Sequence, residues 1–338
     1  MTLHRRTFLG LSAAAAAAAT TGLRFGPAFA QDATPAAADA PADPMTAYGP
    51  VQGNEPYKLA FMQVFPSNAF WQLLKEGVEA RAAEDGVTVD VIALPDDAGV
   101  ADQVSQLEDA VTKGYDGIIM GTIDAAGIVQ GVEAANKAGI PVIAVDTAPA
   151  GGDLVSLIQT DNVAAATQQG EYVAKLIGNK GKVLNLQGDM ANQTAQARND
   201  GLHAALDAYP DITVIDQSAH WNQDEGFTIT ENILISDPDI VAIAGANDPP
   251  ILGALQALVA AGRDDVALVG FDAIPDVVQA IIDGSVDGTI AQFPKVMGTV
   301  GVDLMVRHLN GEEVPAKVDS GALLVTADNA AQFQADNA

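Results

Sequence analysis

The feature that most constrains this 338-residue chain is a regular alternation of short apolar strands with helical stretches, from about residue 57 to residue 327. One helical stretch places Ile128, Val132 and Ala135 on one face and ends at Gly139. Apolar strands joined by helices are typical of parallel sheets covered on both faces, so we predict an α/β fold. The predicted strands are Leu59–Val64, Val87–Ala93, Gly117–Gly121, Pro141–Val145, Leu154–Ile158, Lys182–Leu186, Ile212–Ile215, Ile240–Ala244, Val266–Gly270 and Thr289–Ala291.

Two stretches of the chain, residues 116–146 and 239–272, repeat the same order of features. Each contains a strand, a turn with an acidic residue, a helix, a second strand and a closing aspartate. A chance match is the alternative in so alanine- and glycine-rich a sequence. Repeated βαβ halves are a common way to build large α/β proteins, and we therefore predict two similarly wound domains.

The N-terminus has the features of a bacterial export signal. Arg5 and Arg6 precede a short alanine-rich apolar run that ends in Ala28-Phe29-Ala30. A paired arginine, an apolar core and an A-x-A site together predict a twin-arginine signal over residues 1–30, with an unprocessed amphipathic tail as the alternative. Residues 31–56 are rich in alanine, proline and aspartate and predict a disordered linker. We therefore expect the mature protein in the periplasm or another extracytoplasmic compartment.

Composition excludes several classes of partner and site. The chain has no cysteine, so it can form neither a disulfide nor a thiolate metal site, and it lacks the usual lipid-anchor residue of exported binding proteins. Its formal net charge of −28 repels nucleic acid and anionic lipid, and we expect neither as a partner. A salty environment and simple solubility are alternative explanations of the acidity.

Polar side chains follow the predicted strands at their carboxyl ends, where ligands bind in open parallel sheets. Carboxylates and amides there suit a polyhydroxylated ligand, since one group can engage two neighbouring hydroxyls. The alternative is that each one caps the next helix. We favour ligand binding for the set because it comes from both domains. The residues are Asp124, Asp146, Asn247, Asp248, Asp272 and Gln292.

The chain contains two tryptophans, Trp71 and Trp221, and both lie at predicted strand-to-helix junctions, one in each half. An aromatic ring can stack on the apolar C–H face of a sugar while polar groups bind its hydroxyls. A single tryptophan is more often part of a core. Because the two occupy equivalent loops, we predict that they form platforms for a sugar-like ligand.

From about Tyr57 to Ala327 the chain resembles the type I periplasmic sugar-binding proteins, most closely their ribose-binding branch. The resemblance rests on many short stretches in the right order. They are Asn68-Ala-Phe-Trp71, residues 139–146 (GIPVIAVD), Gln159-Thr-Asp161-Asn162, Arg198-Asn-Asp-Gly201, Ala246-Asn-Asp248, residues 269–276 (VGFDAIPD) and residues 289–294 (TIAQFP).

This resemblance implies two Rossmann-like lobes with parallel sheets, joined by a three-segment hinge and closing around the ligand. The crossings are expected near residues 159–161, 292–294 and 319–322. The first lobe would comprise residues 57–160 with 293–319, and the second residues 161–292 with 320–328.

The resemblance also implies ligand contacts from both lobes and the hinge. Two departures affect specificity, because Thr147 and Gln196 stand where the ribose binders carry arginine, although Arg198 can still reach the cleft. Without the forked guanidinium donors of these two arginines, strict ribose specificity is not expected. The ligand could then be a pentose, a hexose or a sugar alcohol. The predicted site residues are Asn68, Phe70, Trp71, Asp146, Thr147, Gln196, Arg198, Trp221, Asn247, Asp272 and Gln292.

We therefore expect a monomeric, non-enzymatic solute-binding protein that delivers a sugar or polyol to the permease of an ABC importer. The alternative is a sensor that presents its ligand to a chemoreceptor or histidine kinase. Motifs for serine hydrolases, zinc proteases, P-loops, dinucleotide binding and EF-hand calcium loops are absent, and we expect no cofactor, metal or catalytic residue. A glycosidase carboxylate pair is a weaker alternative. A repressor of the same fold class is excluded by the export signal in place of a DNA-binding domain.

Overall fold

The computed structural model describes residues 48–95 and 98–337, which contain two six-stranded sheets. The predicted signal segment and residues 31–47 of the predicted linker lie outside the described residues. The strands are β1 (Lys58–Gln63), β2 (Thr88–Ala93), β3 (Gly117–Met120), β4 (Val142–Val145), β5 (Ser156–Gln159), β6 (Gly181–Gln187), β7 (Ile212–Ser218), β8 (Ile240–Gly245), β9 (Ala267–Asp272), β10 (Gly288–Ala291), β11 (Lys317–Asp319) and β12 (Leu323–Thr326). The helices are α1 (Ala69–Asp85), α2 (Val100–Lys113), α3 (Val129–Lys137), α4 (Asn162–Leu176), α5 (Gln193–Leu206), α6 (Gln223–Ser236), α7 (Asp248–Ala261), α8 (Pro275–Ile282), α9 (Pro294–Leu309) and α10 (Ala330–Asp336).

The first lobe is built on a sheet with the strand order β11-β5-β4-β3-β1-β2, in which every pair is parallel. Its central strands are apolar throughout because helices cover both faces. Leu59, Phe61 and Ile119 are fully buried in the core against α1 and α9. On the opposite face, Met62 and Ile118 pack against α2 and α3.

The second lobe repeats this arrangement with the strand order β12-β10-β9-β8-β6-β7. Its strands are parallel except that β12 is antiparallel to β10, so this sheet is mixed at one edge. The reason lies in the path of the chain. Strand β11 leaves the first lobe at the carboxyl end of its sheet, so β12 enters the second lobe from the carboxyl edge and runs opposite to its neighbour.

Three segments connect the lobes, after β5, after β10 and between β11 and β12. The first and third lie side by side. The Thr160 hydroxyl is 3.2 Å from Ser320 Oγ and donates to the Gly321 carbonyl at 3.2 Å, while the Asp161 amide donates to Asp319 Oδ1 at 3.2 Å. The expected three-segment hinge is confirmed, and two of its segments are tied by hydrogen bonds.

All ten predicted strands are present as β1–β10, and the predicted helix around Ile128 is α3. The sequence pattern missed β11 and β12 as strands. They are only three and four residues long, which is too short for an apolar run or an alternation to stand out in the sequence.

Residues 48–56 correct the prediction of a disordered linker up to residue 56. The Val51 amide donates to Asp85 Oδ1 at 3.0 Å, and the Asn54 amide donates to Asn310 Oδ1 at 2.8 Å. Tyr48 and Val51 also pack on the core of the first lobe, which explains why this polar segment is held in place.

Within residues 48–95 and 98–337, no helix has the length and apolar character needed to cross a bilayer.

Candidate ligand-binding site

A cavity of about 440 Å³ lies between the lobes, where the carboxyl ends of the two sheets face each other. The loops that form it all follow strands or begin helices, so the alternating sequence itself places polar side chains around it. The lining residues are Phe65, Asn68, Phe70, Trp71, Thr122, Asp146, Thr147, Asn192, Thr194, Arg198, Trp221, Asn247, Asp272 and Gln292.

The structure brings ten of the eleven predicted site residues to this cavity and leaves out Gln196. Gln196 is exposed on α5, and its Nε2 donates to the Met190 carbonyl at 2.8 Å. Arg198, two residues later, is buried in the cavity wall. Residues two positions apart lie on different faces of a helix, which explains why the structure contradicts placing both in the cleft.

Four lining residues were missed from the sequence: Phe65, Thr122, Asn192 and Thr194. Two of them had a usable signal. Thr194 precedes Arg198 by one helical turn and so shares its face. Thr122 follows β3 as Asp146 follows β4, at the same edge of the first sheet.

The backbone around the cavity is strained. In the described chain seven non-glycine residues have positive φ, and six of them lie at or beside the cavity. Such conformations persist only where the surrounding structure enforces them, and they cluster at functional sites. The six are Phe65, Asp146, His220, Trp221, Asp272 and Ala273, with φ values of 47°, 63°, 46°, 65°, 117° and 59°.

Each tryptophan lies against a glycine that follows a central strand of its lobe. Trp71 covers Gly121, after β3, and Trp221 covers Gly188, after β6. A Cβ at either glycine would overlap the indole ring. Phe70 meets Trp71 edge to face, with ring centroids 5.7 Å apart. In both lobes, therefore, an indole ring that lines the cavity packs against a glycine that lies after a strand.

Three buried oxygen atoms of the cavity wall have no hydrogen-bond partner: Asp146 Oδ1, Asn247 Oδ1 and Gln292 Oε1. They come from the first lobe, the second lobe and the hinge segment after β10. A buried polar atom without a partner costs free energy, which a ligand that donates a hydrogen bond would recover. The cavity is therefore prepared for a ligand with several donors at different positions.

Arg198 is the one cationic side chain among the lining residues. Two of its three guanidinium nitrogens donate hydrogen bonds to other protein groups. Its Nε donates to Asn162 Oδ1 at 2.8 Å, and its Nη1 donates to the Ala246 carbonyl at 2.7 Å and to Asp272 Oδ1 at 3.5 Å. The guanidinium also lies 3.8 Å from the centroid of the Phe271 ring. Asn162 in turn donates to the carbonyl of the hinge residue Thr160, so Arg198 links the cavity to the hinge.

Burial dominates the electrostatics of the two carboxylates in the cavity wall. It raises the pKa of Asp146 to about 7, and nearby Arg198 opposes this only in part. Burial also raises the pKa of Asp272 to about 6, against Arg198 and against the 2.7 Å hydrogen bond from Gln292 Nε2. The neighbouring protein groups offset only part of the cost of burying these two carboxylates, and hydroxyl donors of a ligand would stabilise their ionised forms.

The helix-capping alternative holds for some strand-end residues and not for others. Asn68 and Asn192 cap α1 and α5, and Asp124 accepts from two amides of its own turn. Asp248 is fully buried, where Oδ1 accepts from Thr289 and Oδ2 from the Ile274 amide, so it ties neighbouring strands together. Asn247 occupies the cap position of α7, yet its side chain makes no capping hydrogen bond. Its amide group remains directed to the cavity.

Thr147, in the first departure from the ribose-binding pattern, is bonded within its own lobe. Its hydroxyl accepts from the Thr122 amide at 2.6 Å and donates to the Thr122 carbonyl at 3.1 Å. It therefore closes the cavity wall and does not replace a forked donor.

In the described residues no group of three or more histidine or acidic side chains is arranged to hold a metal ion.

Hydrogen bonds across the cleft show that the lobes are closed on each other. The Ala125 amide donates to the Ala191 carbonyl at 3.5 Å, and Asn192 Nδ2 donates to the Thr122 carbonyl at 3.3 Å. The Thr194 hydroxyl donates to the Asp146 carbonyl at 3.3 Å. All three join residues 191–194 of the second lobe to loops that follow β3 and β4.

Comparison with known proteins gives one consistent result. The model of the periplasmic binding protein domain matches residues 59–313. The ribose import binding protein RbsB of Salmonella typhimurium is 35% identical over 251 residues, which cover 74% of this chain and 84% of that protein. The xylitol-binding protein of Mycolicibacterium smegmatis is 32% identical over 283 residues, which cover 83% and 80%.

A solved structure agrees with these relatives. The ABC transporter solute-binding protein of Bacillus halodurans C-125 with bound myo-inositol superimposes with a TM-score of 0.77 at 27% identity. The match covers 83% of this chain and 98% of that one.

Proposed function

This chain belongs to the periplasmic binding protein domain family, and we propose that it captures one polyhydroxylated ligand between its closing lobes for an ABC importer. It is a non-enzymatic, extracytoplasmic solute-binding protein of the sugar-binding type. Relatives named for import and solute binding favour transport over the sensor alternative.

The observation that carries the proposal is the set of three unpartnered oxygens, Asp146 Oδ1, Asn247 Oδ1 and Gln292 Oε1. One ligand that donates to all three must touch the first lobe, the second lobe and the hinge at once. Only the closed form offers these contacts together, so binding shifts the population towards closure. The indole faces of Trp71 and Trp221 would cover the apolar C–H surface of the same ligand.

The ligand class follows from the same contacts. A pentose, a hexose or a sugar alcohol supplies enough hydroxyl donors, and relatives are named for ribose, allose and xylitol. Strict ribose specificity is not expected. Thr147 is engaged with Thr122, and Gln196 lies outside the cavity, so neither provides the forked donor of an arginine.

Several parts of the proposal rest on the sequence. Residues 1–30 would direct export by the twin-arginine route, and the mature protein would act as a monomer that docks on the importer's permease. The lobes would comprise residues 57–160 with 293–319 and residues 161–292 with 320–328. The ten predicted residues that line the cavity would contact the ligand.

A thermal-shift screen of the mature protein tests the proposal. Pentoses, hexoses, sugar alcohols and nucleosides would be compared at concentrations up to 10 mM. A ligand that binds only the native state stabilises it by about 2.7 kcal/mol at 100 times Kd. We expect a clear increase in Tm with at least one sugar or polyol. No increase with any of them would contradict a polyhydroxylated ligand.

A further inference from the structure

The free hydrogen-bonding atoms in the wall of the ligand cavity are all of one kind. The buried side-chain atoms without a partner are Asp146 Oδ1, Asn247 Oδ1 and Gln292 Oε1, and all three are acceptors. Among the described lining residues no buried side-chain donor is left unpartnered. A hydroxyl both donates and accepts, whereas a protonated amine only donates and offers three N–H groups. The free atoms of the wall therefore suit a ligand group that is a donor only.

The charges of the wall are unequal in number. Asp146 and Asp272 are its two carboxylates, and Arg198 is its one cation among the described lining residues. The fully buried Asp248 is a further acidic group, which interacts electrostatically with Asp272. With both wall carboxylates ionised, one negative charge has no cationic counterpart in the protein, and a cation on the ligand would balance it.

Asp146 is the less compensated of the two wall carboxylates. Asp272 accepts from Gln292 Nε2 at 2.7 Å and lies 3.5 Å from Arg198 Nη1. Asp146 is only 6% exposed, yet its Oδ1 has no hydrogen-bond partner, and Arg198 acts on it only through its charge. Burial raises the pKa of Asp146 to about 7, against about 6 for Asp272. A cation beside Asp146 would favour its ionised form.

Aromatic rings around the cavity also favour a positive charge. Phe65, Phe70, Trp71 and Trp221 all line it. The electron-rich face of an aromatic ring attracts a cation, and the Arg198 guanidinium already lies 5.7 Å from the centroid of the Trp221 ring. The formal net charge of −28 would in addition draw a cationic ligand towards the protein.

From these acceptors and charges we propose that the ligand is an amino sugar or an amino polyol whose protonated amine binds the carboxylate of Asp146. This inference rests on the proposed function and narrows its ligand class, since the hydroxyls of the same ligand remain available to Asn247 and Gln292. An ammonium group would donate a charge-assisted hydrogen bond to Asp146 Oδ1, which is stronger than the bond that a hydroxyl donates. The charge of one ligand group then determines specificity.

Matched ligands test the inference by calorimetric titration at about pH 7, where sugar amines are largely protonated. Glucosamine, galactosamine, mannosamine and glucamine would each be compared with the hydroxyl parent and with the N-acetyl derivative, which keeps an N–H donor but has no charge. We expect at least one amine to bind about tenfold tighter than both neutral partners, which corresponds to about 1.4 kcal/mol. This comparison uses the wild-type protein and does not depend on any variant.

The variant Asp146→Asn tests the assignment of the amine to this carboxylate. Asparagine has the same shape and tolerates the φ of 63° at this position, so the backbone can be kept while the charge is removed. The amine and its hydroxyl parent should then bind with equal affinity. Asp124→Asn is the matched control. Asp124 does not line the cavity, and asparagine can still accept from the Ala126 and Gly127 amides, so the preference for the amine should persist.

The outcomes distinguish this inference from the proposed function. Binding of neutral sugars or polyols, with no amine binding tighter than its parent, overturns the amine inference and leaves the proposed function intact. Equal gains from the amine and its N-acetyl derivative also overturn it, because the charge then contributes nothing. A preference that persists in Asp146→Asn overturns the assignment to Asp146. Failure of every neutral and amino carbohydrate to bind overturns the proposed function itself.

Discussion

The six-membered ring of Trp71 contacts Gly121 so closely that a single Cβ at position 121 would overlap it. The second lobe repeats this relationship with Trp221 and Gly188. In each lobe the glycine directly follows or lies just after a strand of the sheet, and the tryptophan lies at the start of a helix, Trp71 in the first turn of α1 and Trp221 just before α6. The two glycines therefore set the depth at which the aromatic platforms stand in the cavity.

Gly121→Ala should weaken ligand binding by at least about tenfold while the protein remains folded. The added methyl group forces the Trp71 ring into the cavity, and overpacking of this kind costs about 1–3 kcal/mol. Calorimetric titration with the ligand found by thermal shift would measure the loss. Circular dichroism would establish that the fold is kept.

Gly49→Ala is the matched control for this substitution. A Cβ at position 49 would meet no atom within 4 Å, so affinity and Tm should both stay unchanged. Equal affinities of wild type and Gly121→Ala would contradict the role of Trp71 as a platform at the ligand.

Trp221→Ala should lower ligand affinity by about tenfold to a hundredfold with little loss of stability, because the side chain is only half-buried and faces the cavity. His220→Ala is a close control. His220 also has positive φ, but its exposed ring pairs with Glu225 at 2.7 Å and does not line the cavity. Similar losses in both variants would indicate a backbone effect and count against the platform.

Much of the fold could be predicted because strand and helix patterns are local. Ten strands were placed from apolar runs, and family resemblance supplied the hinge. The direction of β12 could not be read from four residues, since it depends on where the chain re-enters the second lobe. The segment 48–56 looked unstructured by composition, yet a few contacts with Asp85 and Asn310 hold it.

Strand ends predicted part of the site, and the family resemblance added residues such as Asn68, Phe70 and Arg198, but neither showed what each side chain does. Asn192 and Asn247 both precede helices, and nothing in the sequence tells that Asn192 caps its helix while Asn247 leaves its oxygen free. Asp248 and Asp272 follow neighbouring strands, but only the packing shows that the first bridges strands and the second faces the cavity. The helical period would have corrected one choice. Thr194 lies on the same face of α5 as Arg198, whereas Gln196 does not, so Thr194 should have been predicted in its place.

Thr194→Val should favour the open form in the absence of ligand. The substitution removes the hydroxyl that donates to the Asp146 carbonyl across the cleft at 3.3 Å and keeps the side-chain shape. Small-angle X-ray scattering of the ligand-free variant should give a larger radius of gyration than wild type. Thr228→Val removes a hydroxyl bonded only within α6 and should cause no change. An unchanged radius in Thr194→Val would contradict a role for this contact in closure.

A buried acidic pair in the first lobe should make stability depend on pH. Asp303 and Asp85 lie beside Arg81, whose Nη1 is 3.2 Å from Asp303 Oδ1. Burial raises the pKa of Asp303 to about 8, with Arg81 opposing it, and also raises the pKa of Asp85. The folded protein therefore binds more protons than the unfolded chain between about pH 4 and pH 8.

Because the folded protein binds these extra protons, the free energy of unfolding falls as pH rises through this window. The decrease is up to about 1.4 kcal/mol for each unit by which folding raises the pKa of a carboxyl group. Asp303→Asn removes this titration, so urea unfolding at pH 5 and pH 8.5 should show a smaller decrease than in wild type. Asp200→Asn, at an exposed carboxylate on α5, should retain the wild-type decrease. The same decrease in Asp303→Asn as in wild type would contradict the assignment.

The central claim is that free acceptor oxygens in a closed cleft bind a polyhydroxylated ligand, and calorimetric titration of wild type and Asn247→Leu tests it most directly. Asn247 combines an unpartnered buried oxygen with a position that makes no capping bond, so its replacement removes a ligand contact and little else. We predict one-to-one binding of a sugar or polyol to wild type and at least about tenfold weaker binding to Asn247→Leu. Equal affinity in the two proteins, or no binding by wild type, would contradict the account.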